Sequence, residues 1–178
     1  PETDGWLVDL LGVVDRPLVV DADGLSAFAR RQREPRFAHP EVVLTPHAGE
    51  LARLAAIESS QLREDRLRIV PELAQRWKVV LVAKGSPTLI AAPDGALVIN
   101  PTGDDALAHG GTGDVLTGLI GGLLAQGASA FEAALLGCWL HGRAGELATG
   151  RIGSRRVVLA REIADNLGEA FAELEVFA

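Results

Sequence analysis

Residues 41–56, EVVLTPHAGELARLAA, join two patterns that together indicate the fold class. The first part, EVVLTP at 41–46, is a short continuous apolar run, which is typical of a strand buried on both faces of a sheet. Thr45 and Pro46 are then predicted to be the N-cap and the first position of a helix that continues through Ala56. A buried strand followed directly by a helix indicates a parallel α/β sheet.

The same alternation extends in both directions from this unit. PLVVDADG at 17–24 and VVLVAKG at 79–85 have the pattern of two more buried strands, and TLIAAPDGALVI at 88–99 predicts a β-hairpin. We therefore predict an α/β fold with a mostly parallel central sheet that helices cover on both faces. Helices are predicted over residues 4–14, 24–32, 46–56, 61–77, 112–126, 129–149 and 158–174. The helix at 61–77 is expected to kink or break at Pro71.

Two of these helices have an apolar face at the spacing of three and four residues that helices require. The helix at 4–14 is expected to pack through Trp6, Leu7, Leu10, Leu11 and Val14. The helix at 158–174 is expected to pack through Ile163, Leu167, Ala170, Phe171 and Leu174.

Unusual polar stretches follow the predicted strands. DADG at 21–24, TPHAGE at 45–50 and AKGSPT at 83–88 each come directly after a parallel strand. NPTG at 100–103 and HGGTGDVLTG at 109–118 come after the hairpin. Ligands of open α/β sheets bind outside the carboxyl ends of the strands, so we expect DADG, TPHAGE, AKGSPT and the glycine-rich stretch to line one rim. The NPTG loop, with Asn100, could shape the site.

The glycine-rich stretch predicts an anion site that is followed by a general base. Without side chains, Gly110, Gly111 and Gly113 let backbone amides approach a ligand, and the N-terminus of the next helix favours an anion such as phosphate. Asp114 would repel phosphate but can accept the proton of an attacking hydroxyl, as a catalytic aspartate does in phosphoryl transfer. The alternative is an aspartate that only stabilises the helix start, preceded by glycines that allow tight packing.

The other stretches also have structural explanations beside the functional ones. His47 could face a ligand or merely belong to a polar helix start. Lys84 and the Thr88 hydroxyl could hold part of a nucleotide, or Lys84 could be an exposed lysine at a strand end. Asp21 and Asp23 could support a ligand or metal site or form an ordinary turn.

Composition limits the possible partners. The chain has 178 residues, 48% of them hydrophobic, and a formal net charge of -7, which suits one domain and argues against a general nucleic-acid binder. The one basic run, RRQREPR at 30–36, is expected to be a solvated helix end. A single cysteine, Cys138, excludes an internal disulfide, suits a reducing, cytoplasmic compartment, and is expected to lie in the core. No charge-free apolar stretch reaches about 18 residues, so we expect no membrane partner.

The order TPHAGE, KGSPT, NPTG and GGTGD is specific. Together these stretches resemble the ADP-dependent NAD(P)H-hydrate dehydratases, which are ribokinase-like proteins, and the resemblance extends from DADG to the last predicted helix. It implies a hydro-lyase that repairs hydrated NADH and NADPH. ADP phosphorylates the ring hydroxyl, and elimination of phosphate restores the dihydronicotinamide and leaves AMP. ADP is thus the implied co-substrate, with Mg²⁺ as the implied metal.

Matching positions imply roles for individual residues. Asp114 would be the base and, with His47, would contact the hydrate. Glu50 falls where related sugar and vitamin kinases keep a glutamate that is linked to Mg²⁺ through water. The residues expected to contact the adenine nucleotide are Lys84, Gly85, Ser86, Pro87, Thr88, Gly111 and Gly113.

The chain also departs from the pattern of this family. The usual first portion, with a GPGLG-like turn, is missing ahead of Pro1, and the sequence contains no methionine. We therefore expect residues 1–178 to be a single, partial ribokinase-like catalytic domain of a longer protein, which forms a homo-oligomer and can carry a fused NAD(P)H-hydrate epimerase domain. The loop is also unusual, with Asp104-Asp105-Ala106 where Asn-Pro-Gly is common and His109 where a small residue is common.

Two other functions stay open from the sequence. One is a ribokinase-like vitamin kinase that acts on hydroxymethylpyrimidine or hydroxyethylthiazole. Such kinases usually carry Asn at the position of His47, so TPHAGE favours the dehydratase. The other is a fragment that binds AMP or ADP, or contacts another subunit, without turnover.

Overall fold

The strands of the central sheet follow one another in space in the same order as along the chain. The structure, a computed structural model, describes residues 2–175, so Pro1 lies outside the described part. The strands are β1 (Leu18–Val20), β2 (Val42–Leu44), β3 (Val80–Ala83), β4 (Leu89–Ala91) and β5 (Leu97–Ile99). The helices are α1 (Glu2–Val13), α2 (Ala22–Arg30), α3 (Ala48–Ala55), α4 (Ser59–Glu64), α5 (Arg66–Trp77), α6 (Thr112–Ala125), α7 (Ala130–Ile152) and α8 (Ala160–Glu175), with short 3-10 helices at Asp105–Ala108 and Arg155–Val157.

Strands β1, β2 and β3 are parallel, whereas β4 and β5 are each antiparallel to the preceding strand. Val19 pairs with Val43 and Val43 with Val80, and Val82 then pairs with Ile90 across the antiparallel step. The predicted mostly parallel sheet and the predicted hairpin are both confirmed. Strands β1, β2, β3 and β5 consequently end at the same edge of the sheet, where the polar stretches follow.

Helices cover both faces of the sheet. Val42 and Leu44 point to a core shared with Phe28 of α2, whereas Val43 between them points to a core shared with Ile120 of α6. All four side chains of β3 are buried. This double burial explains why the strands are continuous apolar runs. A third cluster joins α7 to α8 through Leu140, Ala144, Ile163 and Ala170.

The predicted start of α3 is wrong by two residues. Thr45 is fully buried and still belongs to the sheet, because its N–H donates to the Val20 carbonyl (3.2 Å). Pro46 accepts a hydrogen bond from the backbone N–H of Lys84 (2.9 Å). The helix begins at Ala48 with His47 as its N-cap. Pairing with both neighbouring strands therefore overrides the local preference of Thr45 and Pro46 for a helix start.

Of the kink or break predicted at Pro71, the break is wrong. Pro71 lies inside α5, and the chain breaks instead at Asp65, between α4 and α5. Asp65 leaves the helical region of the backbone map with φ −116° and ψ 26°. The buried face of α5, which includes Val70 and Trp77, continues on both sides of Pro71, so packing against the sheet keeps the helix intact.

The packing face of α1 differs from the predicted face. Val8 is buried and Leu7 and Leu11 pack beside it, but Trp6 is 64% exposed and Leu10 is 39% exposed. The helix packs mainly on α2. This contact covers a narrower part of the surface of α1 than the apolar face that was predicted from the spacing of its residues. The predicted member Val14 lies beyond the end of α1.

The packing face of α8 and the contacts of the basic run at 30–36 are as follows. Ile163 and Ala170 of α8 are buried as predicted, whereas Phe171 is 37% exposed. In the basic run, Arg30 pairs with Asp4 (2.7 Å) and Arg33 pairs with Asp9 (2.9 Å), so these arginines contact the acidic side of α1.

Between residues 2 and 175, no helix combines the length and the apolar character that a membrane crossing requires.

Candidate functional site

An ion pair lies where the first and third strands end. Lys84, just after β3, places its Nζ 3.0 Å from both carboxylate oxygens of Asp21, just after β1. Thr117 of α6 donates its hydroxyl to Asp21 Oδ2 (3.0 Å), and its Oγ1 lies 3.5 Å from that of Thr45. Both charged side chains are largely shielded from solvent, with 21% of Lys84 and 11% of Asp21 exposed. This network joins three strand ends to the helix that follows the glycine-rich stretch.

Gly113 lies directly above this ion pair. A Cβ at position 113 would be 3.2 Å from Lys84 Nζ and 3.7 Å from Asp21 Oδ2. The contact is closer than most side chains tolerate, so the glycine allows the first turn of α6 to approach the lysine. A ligand bound at this helix start would therefore meet backbone amides and the Lys84 cation together.

The start of α6 has the properties expected of an anion site. Its N-cap, Gly111, has φ 88°, a left-handed conformation that favours glycine, and it has no side chain with which to cap the helix. The Thr112 hydroxyl donates to the carbonyls of Leu107 (2.7 Å) and His109 (2.9 Å), which fixes the turn from behind. Asp114 is exposed in the first turn. The helix thus presents free amides beside one accessible carboxylate.

His47 caps α3 through its side chain. Its Nδ1 accepts hydrogen bonds from the N–H groups of Gly49 (3.0 Å) and Glu50 (3.3 Å), while Glu50 Oε2 accepts from the His47 N–H (2.9 Å). Because Nδ1 is an acceptor, the neutral ring carries its proton on Nε2. The His47 side chain is 57% exposed, and a backbone bridge joins His47 to Lys84. The histidine can therefore offer an Nε2–H donor at the same rim.

Glu50 is committed to this cap. Its side chain is only 11% exposed, and Oε2 also lies 3.6 Å from His47 Nε2. The arrangement gives Glu50 a structural role at the start of α3. The water-mediated link to Mg²⁺ stays a prediction.

The turn after β3 closes on itself. The Thr88 hydroxyl, which was expected to hold a nucleotide, donates to the Gly85 carbonyl (3.1 Å). The N–H of Asn100 donates to the Thr88 carbonyl (2.9 Å) and joins the turn to the end of β5. Gly85, Ser86 and Pro87 are exposed along the turn. This side of the turn is thus accessible to a ligand at the rim.

The NPTG loop shapes the site from within. Asn100 is buried, and its side-chain amide donates to the carbonyls of Thr102 (3.0 Å) and Cys138 (3.2 Å). The Thr102 hydroxyl donates to the Trp139 carbonyl (2.9 Å). A Cβ on Gly142 would lie 2.3 Å from Thr102 Oγ1, so only glycine lets α7 approach the loop this closely.

The unusual residues of the following loop bind it to the segment before α8. Asp104 accepts from the N–H of Ala106 (2.9 Å) and pairs with Arg155 (3.2 Å). Nδ1 of His109 lies 3.0 Å from the Ala106 carbonyl, and Nε2 of the same ring lies 3.1 Å from the Arg156 carbonyl. These contacts hold the residues just before the glycine-rich stretch.

Asp23 and Cys138 both lie apart from this cluster. Asp23 is exposed in the first turn of α2, while Asp21 forms the ion pair. Cys138 is buried in the core of α6 and α7, and burial raises the pKa of its thiol to about 12. The structure thus places Cys138 in the core, where it was expected.

Comparison with known proteins shows the family. The sequence matches the family described as NAD(P)H-hydrate dehydratase over residues 2–168, which is most of the chain. The chain belongs to the NAD(P)H-hydrate dehydratase family. The resemblance indicated by the order of TPHAGE, KGSPT, NPTG and GGTGD is therefore confirmed.

Individual members of the NAD(P)H-hydrate dehydratase family are similar over almost the whole chain. The bifunctional NAD(P)H-hydrate repair enzyme Nnr of Moorella thermoacetica is 45% identical over 98% of this chain and 33% of its own length. The structure of the ADP/ATP-dependent NAD(P)H-hydrate dehydratase from Bacillus subtilis, co-crystallised with ATP and Mg²⁺, is 38% identical with a TM-score of 0.83. That match covers 93% of this chain and 59% of the Bacillus chain.

A more distant structure confirms the ribokinase-like fold. A ribokinase-like superfamily protein from Enterococcus faecalis V583 has a TM-score of 0.75 and 26% identity, over 96% of this chain and 58% of the other. The chain therefore spans between a third and three fifths of the length of these three proteins.

Sequence reasoning missed several residues that build the site in this member of the NAD(P)H-hydrate dehydratase family. Thr117 follows Asp114 by three positions, a spacing that places both on the same side of α6 and could have drawn notice. Arg66 and His141 gave no local signal, because both act on residues that are distant in sequence. His141 is buried in α7, and its Nε2 donates to the Thr112 carbonyl at the start of α6 (2.9 Å).

The buried His141 leads to a prediction on stability. Burial lowers the pKa of His141 to about 4, opposed by the hydrogen bond to Thr112 and assisted by the nearby Lys84 cation. The ordinary pKa of a histidine is 6.5. As the pH falls from about 6.5 to about 4, the histidine is therefore protonated in the unfolded chain but stays neutral in the folded protein. The free energy of unfolding should fall across this window, by at most about 3 kcal/mol from this one group.

Replacement of His141 by glutamine should flatten this dependence. The Gln side chain keeps a donor for the Thr112 carbonyl but does not titrate. Urea unfolding of the intact protein at neutral pH and near pH 4.5 measures the effect in both forms. Parallel losses of stability in the wild type and in His141→Gln would show that other groups cause the decline.

Proposed function

We propose that this chain carries out the ADP-dependent dehydration of hydrated NADH and NADPH. One observation carries the proposal: an uncapped, glycine-led helix start that bears Asp114 lies directly above the Asp21–Lys84 ion pair. A phosphate can bind the amides at such a helix start while the carboxylate faces a hydroxyl. The ADP/ATP-dependent Bacillus relative, which shares this fold, supports the choice of nucleotide.

The proposed reaction transfers one phosphoryl group and then loses it. Asp114 accepts the proton of the ring hydroxyl, and the hydroxyl oxygen attacks the terminal phosphorus of ADP while the bond to AMP breaks. Phosphate then leaves with the electrons of the ring C–O bond, and loss of a ring proton restores the double bond. The products are NADH or NADPH, AMP and phosphate, so the net change in the nicotinamide is loss of water.

The remaining proposed roles follow the geometry of the rim. The exposed Nε2–H of His47 suits an acceptor group of the hydrate, since Nδ1 is occupied by the cap. The Lys84 cation would face the phosphates of ADP. The other residues proposed to contact the nucleotide are Gly85, Ser86, Pro87, Thr88, Gly111 and Gly113.

Magnesium is proposed to arrive with the nucleotide. Within residues 2–175, no three His, Cys, Asp or Glu side chains form a group able to hold a metal ion. Two carboxylates of this rim are already engaged, Asp21 by Lys84 and Glu50 by the cap of α3. We therefore infer that the ion is held chiefly by the phosphates of ADP, whose negative charge it would neutralise.

A coupled assay of the intact protein tests this function. NADH hydrate and ADP are supplied together, and the recovery of reduced nicotinamide absorbance is followed with the formation of AMP. Recovery that requires ADP supports the proposal. Phosphorylation of hydroxymethylpyrimidine or hydroxyethylthiazole, or ADP binding without any turnover, would replace it with one of the alternative functions.

We further propose that residues 1–178 belong to one ribokinase-like domain of a cytoplasmic homo-oligomer. A single sheet runs through the described residues, the only cysteine is unpaired, and apolar side chains such as Trp6 and Val13 are exposed. The bifunctional Moorella relative is about three times as long as its matched part, which supports a fused epimerase domain in the parent protein. Light scattering of the intact protein would measure its mass, and a monomer would contradict the oligomer.

A further inference from the structure

The Arg66 side chain spans both ends of the Lys84–Thr88 turn. It is the first residue of α5, and its Nη2 donates to the Ala83 carbonyl (2.5 Å) at the end of β3. Its Nη1 donates to the Pro87 carbonyl (2.7 Å) on the far side of the turn. Hydrogen bonds from a charged group are stronger than neutral ones, and the planar guanidinium fixes the separation of the two carbonyls.

The guanidinium lies in a place that is unfavourable for a cation. Burial lowers the pKa of Arg66, and the start of a helix repels positive charge. Among the described residues, the guanidinium forms no salt bridge, and its hydrogen bonds go to the backbone carbonyls of Ala83 and Pro87. Burying a cation at this position costs free energy, and the two hydrogen bonds to the turn are the contacts that offset this cost. We therefore infer that Arg66 holds the turn.

Gly85 accommodates the guanidinium. A Cβ at position 85 would lie 2.9 Å from Nη2 and 3.1 Å from Nη1 of Arg66. The glycine and the arginine therefore depend on each other: a side chain at position 85 would displace Arg66, and without Arg66 this side of the turn would lose its support. The inner side of the turn is held separately, by the backbone bond from Lys84 to Pro46 and by the Thr88 hydroxyl.

We propose that Arg66 is a positioning residue for the nucleotide. This inference rests on the proposed function, because it assigns to Arg66 the task of holding the backbone of Gly85, Ser86 and Pro87 in the shape that ADP meets. Arg66 acts through the turn and touches neither the hydrate nor the general base. Its loss should therefore weaken ADP binding and leave the chemical step almost unchanged.

The test compares Arg66→Met with Arg68→Met in the intact protein. Arg68 lies on the same helix, is exposed, and pairs with Asp65 and Glu72, which are close to it in sequence. Its replacement therefore removes the same charge without removing a contact with the turn. We expect Arg66→Met to raise the KM and Kd of ADP roughly ten- to a hundredfold, which corresponds to about 1.4 to 2.7 kcal/mol of binding free energy. The kcat and the KM of the hydrate should change less than about threefold, and Arg68→Met should match the wild type.

Each failure has its own signature. If the wild type binds no ADP in calorimetry, the proposed function fails. If the wild type binds ADP and a folded Arg66→Met variant binds it equally well, the positioning role is overturned.

If Arg66→Met does not fold, Arg66→Lys is used instead. Lysine keeps the positive charge but cannot donate to both carbonyls through a planar guanidinium. Weakened ADP binding at an unchanged kcat supports the role in that variant. A lower melting temperature with unchanged ADP binding shows that Arg66 only stabilises the fold, which overturns the proposal.

Discussion

We expect Asp114→Asn in the intact protein to lower turnover of the hydrate by about 10²-fold or more, because the amide cannot accept the hydroxyl proton. Asn has nearly the same volume as Asp, and position 114 is exposed, so the packing of α6 should persist. ADP affinity should stay the same or increase, since a negative charge beside the phosphates is removed. Turnover, ADP affinity and the melting transition are measured on the same preparation.

Asp105→Asn is the matched control for charge. Asp105 is exposed at the start of the 3-10 helix that precedes the glycine-rich stretch, and its replacement removes the same charge without touching the start of α6. Turnover of this control should stay close to that of the wild type. If Asp114 only stabilises its helix, Asp114→Asn would instead cost about 0.3–1 kcal/mol of stability and leave turnover almost intact. That pattern would remove the base from the proposed mechanism.

We expect Gly113→Val to weaken ADP binding by about 10²-fold, which corresponds to about 2.7 kcal/mol. The Cβ of the valine would meet Lys84 Nζ at 3.2 Å and push it away from Asp21. Its methyl groups would also crowd the helix start where phosphate approaches the amides. Calorimetry with ADP measures the loss. Gly113→Ala should lose less, because alanine lacks the two methyl groups that crowd the helix start and its Cβ displaces only the end of the flexible Lys84 side chain.

Gly118→Val controls for the change of residue type within the same helix. Gly118 is exposed, and a Cβ there meets no other atom within 4 Å. Valine also has a higher helix propensity than glycine, so neither variant should unfold α6 through propensity. Equal ADP affinities of the wild type and a folded Gly113→Val variant would contradict the placement of the nucleotide at this helix start.

Local patterns in the sequence predicted the elements of the fold. Runs such as VVLVA at 79–83 have no polar position because both faces of the sheet are covered, and PDG at 93–95 provides a turn between β4 and β5. The same holds for α6, whose start at Thr112 was expected from the glycines before it. These features depend on neighbours within a few residues, so the sequence alone was sufficient for them.

The positions of helix breaks and packing faces needed the tertiary structure. Pro71 has a strong local tendency to break a helix, yet α5 passes through it because its buried side chains continue on both sides. In α1 the apolar spacing was compatible with more than one face, and contact with α2 selected the one that contains Val8. Burial against a neighbouring element has a larger effect than these local preferences, and no window of the sequence contains that neighbour.

The order of the polar motifs in the sequence was enough to indicate the family and the rim at which they would gather. Only the tertiary structure decided how they meet: Lys84 pairs with Asp21 and not with Asp23, and Thr117 donates to Asp21 from 96 positions away. Arg66 holds a turn that follows it by 17 to 21 positions. The physical reason is that parallel pairing of β1, β2 and β3 sets the register of their ends, and this long-range register, which has no local signature, determines which charged groups come within hydrogen-bond distance.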